Sequence, residues 1–187
     1  MKSPNIIFLT IDSLRSDKIF GILKNSQIPN IEKIINTGLF FPTTISSADA
    51  TDPSLGCIFT GKYPFNTEIT FFKNHEKASS LFDFLKKIGY SRYSMLPDKT
   101  FFNTLSRNFE KAEKYDIDPY TLLHQGTGER ILKQLESNIF LKPWIYYIHL
   151  MELHPSGNKF EFPEMYQSQN YGSNDYEKAI SALDWWI

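Results

Sequence analysis

The chain is predicted to fold as an α/β domain with a mostly parallel sheet flanked by helices. Three observations predict it. Asn5 to Ile11 and Trp144 to Leu150 are strongly apolar runs of strand length. Ile28, Ile31, Ile34 and Ile35 recur at helical spacing. Strand and helix patterns then alternate along the chain, as they do when crossover helices link parallel strands.

The elements follow in order. Asn5 to Ile11 reads as a fully buried strand. The Ile28 to Ile35 helix is stopped by Gly38. Leu39 to Ile45 is β-rich and leads into a short helix after Thr51. Leu81, Phe82, Leu85 and Ile88 mark another helix, stopped by Gly89, and Tyr90 to Leu96 is a strand broken by Pro97. Phe101 to Asp118 is mixed, an insertion or loop. Leu122 to Leu135 is helical with a start weakened by Gly126 and Gly128. Trp144 to Leu150 is the second strong strand. Asp175 to Ile187 is amphipathic, with Ala179, Ile180, Leu183, Trp186 and Ile187 on or near one face. This last helix ends at Trp185-Trp186-Ile187 with no cap or polar tail, which predicts a fragment or the product of a truncated gene.

Composition narrows the class. The 187 residues suffice for one domain with a sizeable core. A formal net charge of -1 argues against nucleic acid or an acidic membrane as partner. Cys57 is the single cysteine, so no disulfide forms within the chain, and its apolar neighbours suggest a buried structural thiol. No segment approaches the roughly 18 apolar residues of a membrane span. Met1-Lys2-Ser3-Pro4 does not open a signal peptide, so a cytoplasmic location is expected.

Two segments carry chemistry. The first strand delivers Asp12 to its C-terminal tip, where ligands bind in open α/β sheets. Ala50-Thr51-Asp52-Pro53-Ser54 has the grammar of a helix start: Pro53 suits the first helical position, Asp52 the N-cap, and Gly61 the C-terminus. Thr51 is then one residue outside the helix, facing unpaired N–H groups and the positive end of the dipole, a good place for a phosphate or sulfate. Together the segments offer a metal ligand and a nucleophile to one site.

These residues fall within a wider pattern. Pro4 to Arg15, Ile28-Pro29-Asn30-Ile31-Glu32-Lys33 with Gly38-Leu39-Phe40-Phe41, Thr51 to Ser54 with Thr60-Gly61-Lys62-Tyr63-Pro64, Tyr147 to Pro155, and Tyr176 to Asp184 occur in that order. The series resembles the sulfatase branch of the alkaline phosphatase superfamily over nearly the whole chain. The resemblance implies an alkaline-phosphatase-like fold. It implies that Asp12 binds a divalent metal, that Thr51 is the nucleophile and also touches the metal, and that His154 and His149 donate hydrogen bonds to the ester or leaving group. The implied partner is a small anionic ester substrate.

The departures redirect that implication. Sulfatases of the usual kind carry cysteine or serine at the nucleophile and oxidise it to formylglycine. Threonine bears a methyl on Cβ and cannot give that aldehyde, and Leu55 replaces the arginine that closes the motif. No formylglycine is expected. Threonine nucleophiles occur in relatives acting on phosphate esters, including phosphoglycerol and phosphoethanolamine transferases, so phosphoryl chemistry is preferred to sulfate hydrolysis. The usual acidic pair is Asp12-Ser13 here, which suits a single ion. Lys99 is a weak counterpart of the lysine many sulfatases carry, because its spacing from Gly89-Tyr90 is off.

The family's later Asp-His pair, which completes the metal site, has no place before Ile187. The chain is therefore expected to be the N-terminal part, residues 1–187, of one sulfatase-like catalytic domain. Asp12 and Thr51 give two ligands where zinc takes about four and calcium about six to eight, so weak metal binding and little activity are expected of this polypeptide alone. Calcium, magnesium, manganese and zinc all stay open.

Plainer roles stand beside these. Asp12 alone could cap a helix starting at Ser13, Asp52 reads as a structural cap, and Ser54 as first-turn filler. Arg15 and Asp17 read as solvent-facing. His149 is open between a satisfied core histidine and a site residue. His75, His124 and Lys62 read as surface or loop residues. Three functions follow: a metal-dependent hydrolase or transferase of phosphate, phosphonate or sulfate esters, a non-catalytic remnant that keeps the fold, and a sulfatase in the strict sense. Sequence leaves the substrate and oligomeric state open.

Overall fold

A computed structural model describes residues 3–67, 80–116, 123–137, 139–154 and 160–187. His75 and Leu122 lie outside the described residues. The strands are β1 (Ile6–Ile11), β2 (Ser91–Pro97), β3 (Lys111–Tyr115) and β4 (Trp144–Leu150). The helices are α1 (Pro29–Thr37), α2 (Thr51–Thr60), α3 (Pro64–Thr67), α4 (Leu81–Lys87), α5 (Thr100–Leu105), α6 (Thr127–Glu136) and α7 (Asp175–Asp184). The protein is α/β, with a parallel four-stranded sheet in the order β1-β4-β2-β3. Register is fixed by Tyr93 opposite Lys111 on one side of β2 and Tyr93 opposite Tyr146 on the other.

The chain divides into two compact units. The first comprises residues 1–10, 45–115 and 135–149. Its core gathers Leu55 and Phe59 of α2, Phe82 and Leu85 of α4, Leu96 of β2, Phe102 and Leu105 of α5, and Ile145 and Tyr147 of β4. Aromatic rings meet edge-on there, as their quadrupoles favour: Phe59 and Tyr147 lie 5.2 Å apart at 89°. Phe59, Phe82, Phe102 and Phe109 go into this packing, while Phe20, Phe41, Phe65 and Phe84 stay exposed. Helix α4 starts on a capping box, in which Ser80 Oγ accepts the Asp83 N–H while Asp83 accepts from the Ser80 N–H. Cys57 is buried, as expected of a structural thiol.

The second unit comprises residues 11–44, 116–134 and 150–187. Here the N-cap of α1 is Ile28, which offers no side-chain cap. The orphan N–H groups of its first turn are met from α7: Asp184 Oδ2 accepts from Asn30 N–H at 3.0 Å and Oδ1 from Ile31 N–H at 2.8 Å. Lys18 Nζ pairs with the buried Glu177 at 2.9 Å. Gly128 of α6 has a packing reason: a Cβ there would come within 2.4 Å of the Trp186 ring.

Four sequence expectations need correction. Leu39 to Ile45 forms no strand, and Leu39 and Ile45 are 90% and 87% exposed. Apolar content alone does not make a strand without a neighbour to pair with. Phe101 to Asp118 is not a simple loop, since it contains α5 and β3. Strand β3 was hidden by its charged sequence, Lys-Ala-Glu-Lys-Tyr, which suits the end of a sheet. Strand β1 is not fully buried, because it lies at the other end of the described sheet and leaves Ile7 54% exposed. Helix α6 starts at Thr127, after a 3-10 turn at Leu123–Gln125.

Candidate functional site

Thr51 belongs to the first unit and opens α2. The expected capping is displaced: Ala50, extended at φ -138°, is the N-cap, so Thr51 is the first helical residue and Asp52 lies inside the first turn. Pro53 tolerates its position because N–H groups in a helix's first turn have no intrahelical acceptor. The approach to Thr51 is stitched by two serines. Ser54 Oγ donates to the Ala48 carbonyl at 3.1 Å, and Ser46 Oγ donates to the same carbonyl at 2.6 Å. Ser54 is therefore more than first-turn filler. Gly61 ends the helix in the left-handed region at φ 66°, its N–H bonded to the Cys57 carbonyl at 2.8 Å.

Burial pushes the Asp52 carboxyl above its usual range, and the positive charge of Lys99 works against that rise. Lys99 is the N-cap of α5, just past the C-terminal end of β2. The fold thus brings a lysine close enough to act on the neighbour of Thr51. Sequence spacing had argued against that lysine.

His149 also belongs to the first unit and is 2% exposed. Its Nδ1 lies 2.8 Å from Thr10 Oγ1 and 2.9 Å from the Tyr147 hydroxyl, and these two hydroxyls are 3.0 Å apart. The Tyr115 hydroxyl donates to the His149 carbonyl at 2.6 Å, and the Phe102 ring lies 4.6 Å from the imidazole. A buried histidine with this many polar contacts is held in one orientation. No sequence pattern pointed to Thr10, Tyr115 or Tyr147 as its partners.

Asp12 belongs to the second unit and directly follows β1. Its N–H donates to the Leu150 carbonyl at 2.9 Å. Ser13 then turns into the left-handed region at φ 60°, which costs a non-glycine residue about 1–3 kcal/mol. In that turn Ser13 Oγ donates to Asp12 Oδ1 at 3.0 Å. The Tyr176 hydroxyl donates to the Ser13 carbonyl at 2.6 Å and accepts the Arg15 N–H at 2.9 Å. The Arg15 guanidinium forks onto Asp17 at 2.8 Å, and both remain largely outside the core.

His154 is exposed in the turn after β4, its N–H bonded to the Met151 carbonyl at 2.9 Å. Glu152 beside it is 8% exposed, with Oε1 accepting the Leu123 N–H at 2.9 Å. Burial pushes its carboxyl up. The sequence reading passed over Glu152, and its place between apolar Met151 and Leu153 was the available signal. His124, expected at the surface, is partly buried, and that burial pushes its imidazole below its usual range.

Asp12 and Thr51 offer hard oxygen donors, which suit a divalent cation. Among the described residues no three His, Cys, Asp or Glu side chains gather to hold a metal. The oxygen chemistry of each side chain, Asp12 in the second unit and Thr51 in the first, fits such an ion. No described helix is long and apolar enough to cross a membrane.

Comparison with known proteins gives the fold a family. No curated protein matches the sequence. The EptC C-terminal periplasmic domain from Escherichia coli, solved in complex with Zn, superposes with a TM-score of 0.75 at 15% identity, over 98% of this chain and 57% of its own. The phosphonate monoester hydrolase of Agrobacterium radiobacter superposes with a TM-score of 0.69 at 13% identity, over 88% and 43%. The periplasmic domain of phosphoethanolamine transferase EptC from Campylobacter jejuni gives 0.66 at 16%, over 99% and 62%. The chain thus spans about three-fifths or less of these structures. Two of the three are periplasmic domains, so a cytoplasmic location gains no support from them. The fold is alkaline-phosphatase-like. The Sulfatase family profile matches residues 4–187, and the protein therefore belongs to the sulfatase family.

Proposed function

We propose that residues 1–187 form part of one sulfatase-like catalytic domain, a metal-dependent hydrolase or transferase of phosphate, phosphonate or sulfate esters. Thr51 is the nucleophile and Asp12 a metal ligand, with Thr51 also touching the metal. His154 and His149 donate hydrogen bonds to the ester or leaving group. The observation that carries this reading is the family match over residues 4–187, in a chain that carries a carboxylate just after β1 and a hydroxyl at the first position of α2. A bound divalent ion, calcium, magnesium, manganese or zinc, lowers the pKa of a hydroxyl and neutralises oxygens of the reacting group.

The residues of the chain favour phosphorus over sulfur. Thr51 cannot become formylglycine, and Leu55, buried in the core, stands where the maturation motif needs arginine. The similarity to a phosphonate monoester hydrolase and a phosphoethanolamine transferase supports the same preference. The positive end of α2 and the charge of Lys99 beside Asp52 both favour an anionic group at Thr51.

A second reading is a non-catalytic remnant that keeps the fold. One assay separates the readings. The complete catalytic domain that contains residues 1–187 is given matched aryl phosphate, phosphonate and sulfate esters with each of the four ions. The enzyme reading expects cleavage of the phosphorus esters ahead of the sulfate, lost in Thr51→Ala and Asp12→Ala. Faster cleavage of the sulfate overturns the phosphoryl preference. No cleavage with any ion leaves the remnant reading standing.

A further inference from the structure

We propose that Tyr176 is a positioning residue for Asp12, an inference that rests on Asp12 being a metal ligand. The chain of contacts is continuous and lies within one compact unit. The Tyr176 hydroxyl spends its donor on the Ser13 carbonyl and an acceptor site on the Arg15 N–H, gripping the backbone on both sides of Leu14. That grip holds Ser13 at φ 60°, a conformation non-glycine residues rarely adopt. In this conformation Ser13 Oγ reaches back to Asp12 Oδ1. With the Asp12 N–H already bonded to the Leu150 carbonyl, both ends of the residue are fixed.

Tyr176 is itself well anchored. Its helix starts on Asn174, whose side chain accepts the Glu177 N–H at 3.0 Å. Its ring packs 5.2 Å from Phe160, and its neighbour Glu177 is tied to Lys18, on the same segment that Tyr176 grips. Burial also pushes the phenol above its usual range, which keeps the proton that bonds Ser13. Groups that orient a metal ligand typically change metal affinity about 10–100-fold when removed.

The test compares wild type with Tyr176→Phe, Ser13→Ala and the double variant, each made in the complete catalytic domain that contains residues 1–187. Phenylalanine keeps the ring packing and deletes only the hydroxyl. Three readouts are taken: amide exchange at Arg15, the Asp12 carboxyl carbon resonance, and Mn2+ affinity by calorimetry. Tyr176→Phe is expected to expose the Arg15 amide and shift the Asp12 resonance. Ser13→Ala should shift that resonance while leaving Arg15 protected. The double variant should move Asp12 no further than Ser13→Ala alone, and Mn2+ should bind about 10-fold or more weakly in all three. An Asp12 resonance unmoved by Tyr176→Phe overturns the proposal, even if stability falls. If wild type itself binds no Mn2+, the metal reading of Asp12 fails, and the positioning role proposed here fails with it. The resonance and exchange data then report only on the turn.

Discussion

Asp184→Ala should cost the second unit far more than an ordinary capping mutation. Replacing a surface N-cap by alanine typically costs about 1 kcal/mol. Asp184 differs in two ways. It is 1% exposed, and its carboxylate takes two backbone donors, Asn30 N–H at 3.0 Å and Ile31 N–H at 2.8 Å. Hydrogen bonds to a charged group contribute about 1.5–3 kcal/mol each. Loss of both gives about 3–6 kcal/mol, since alanine leaves two donors of a helix's first turn without acceptors. The Asn30 side chain keeps its bond to the Asp184 carbonyl, which places the expectation in the lower half of that range. With a urea slope of roughly 2 kcal/mol/M, the unfolding midpoint should fall by about 1.5–2 M. Asp184→Asn keeps one acceptor and should lose about half as much. Amide exchange should accelerate at Asn30 and Ile31. A midpoint shift below about 0.5 M at unchanged slope would refute the reasoning.

Two further predictions follow from the same unit. Glu177→Gln should be destabilising by about 3–5 kcal/mol, the usual cost of breaking a buried pair, measured by urea unfolding near neutral pH. Burial alone would push the Glu177 carboxyl up, but bonds from Lys18, Ser173 and Asn25 hold it below its usual range. The glutamate's contribution is therefore present above the ordinary carboxylate pKa and lost as pH falls through the depressed one, so wild type and variant should converge in acid. Gly128→Ala should also destabilise, by about 1–3 kcal/mol as overpacking does, because its methyl meets the Trp186 ring, although alanine is the better helix former. A thermal midpoint equal to or above wild type would show that the ring yields freely.

The parts of this fold legible in sequence were those set by local chemistry. Strong apolar runs gave β1 and β4, and glycine stops at Gly38, Gly61 and Gly89 bounded α1, α2 and α4. The parts that were hidden depend on partners distant in sequence. Strand β3 looks like a charged loop until β2 pairs with it. Asp184 looks like a helix-end acid until α1 lies across it. The start of α2 was misplaced by two residues because Pro53 suits the first turn at more than one position. In the candidate site, Asp12 and Thr51 were visible from motif and family resemblance. Lys99 was visible only as a weak counterpart, and the grip of Tyr176 and the contacts of Thr10 with Tyr147 and His149 were not visible, since these join residues far apart in sequence.

Trapping the covalent intermediate tests the central claim most directly. The complete catalytic domain that contains residues 1–187 is incubated with an aryl phosphate ester and a divalent ion, quenched in acid, and its peptides are mapped by mass spectrometry. The account predicts one added phosphoryl group on the Thr51 peptide, localised to the Thr51 hydroxyl and absent in Asp12→Ala. Phosphoryl found on another residue, or ester turnover undiminished in Thr51→Ala, would contradict it.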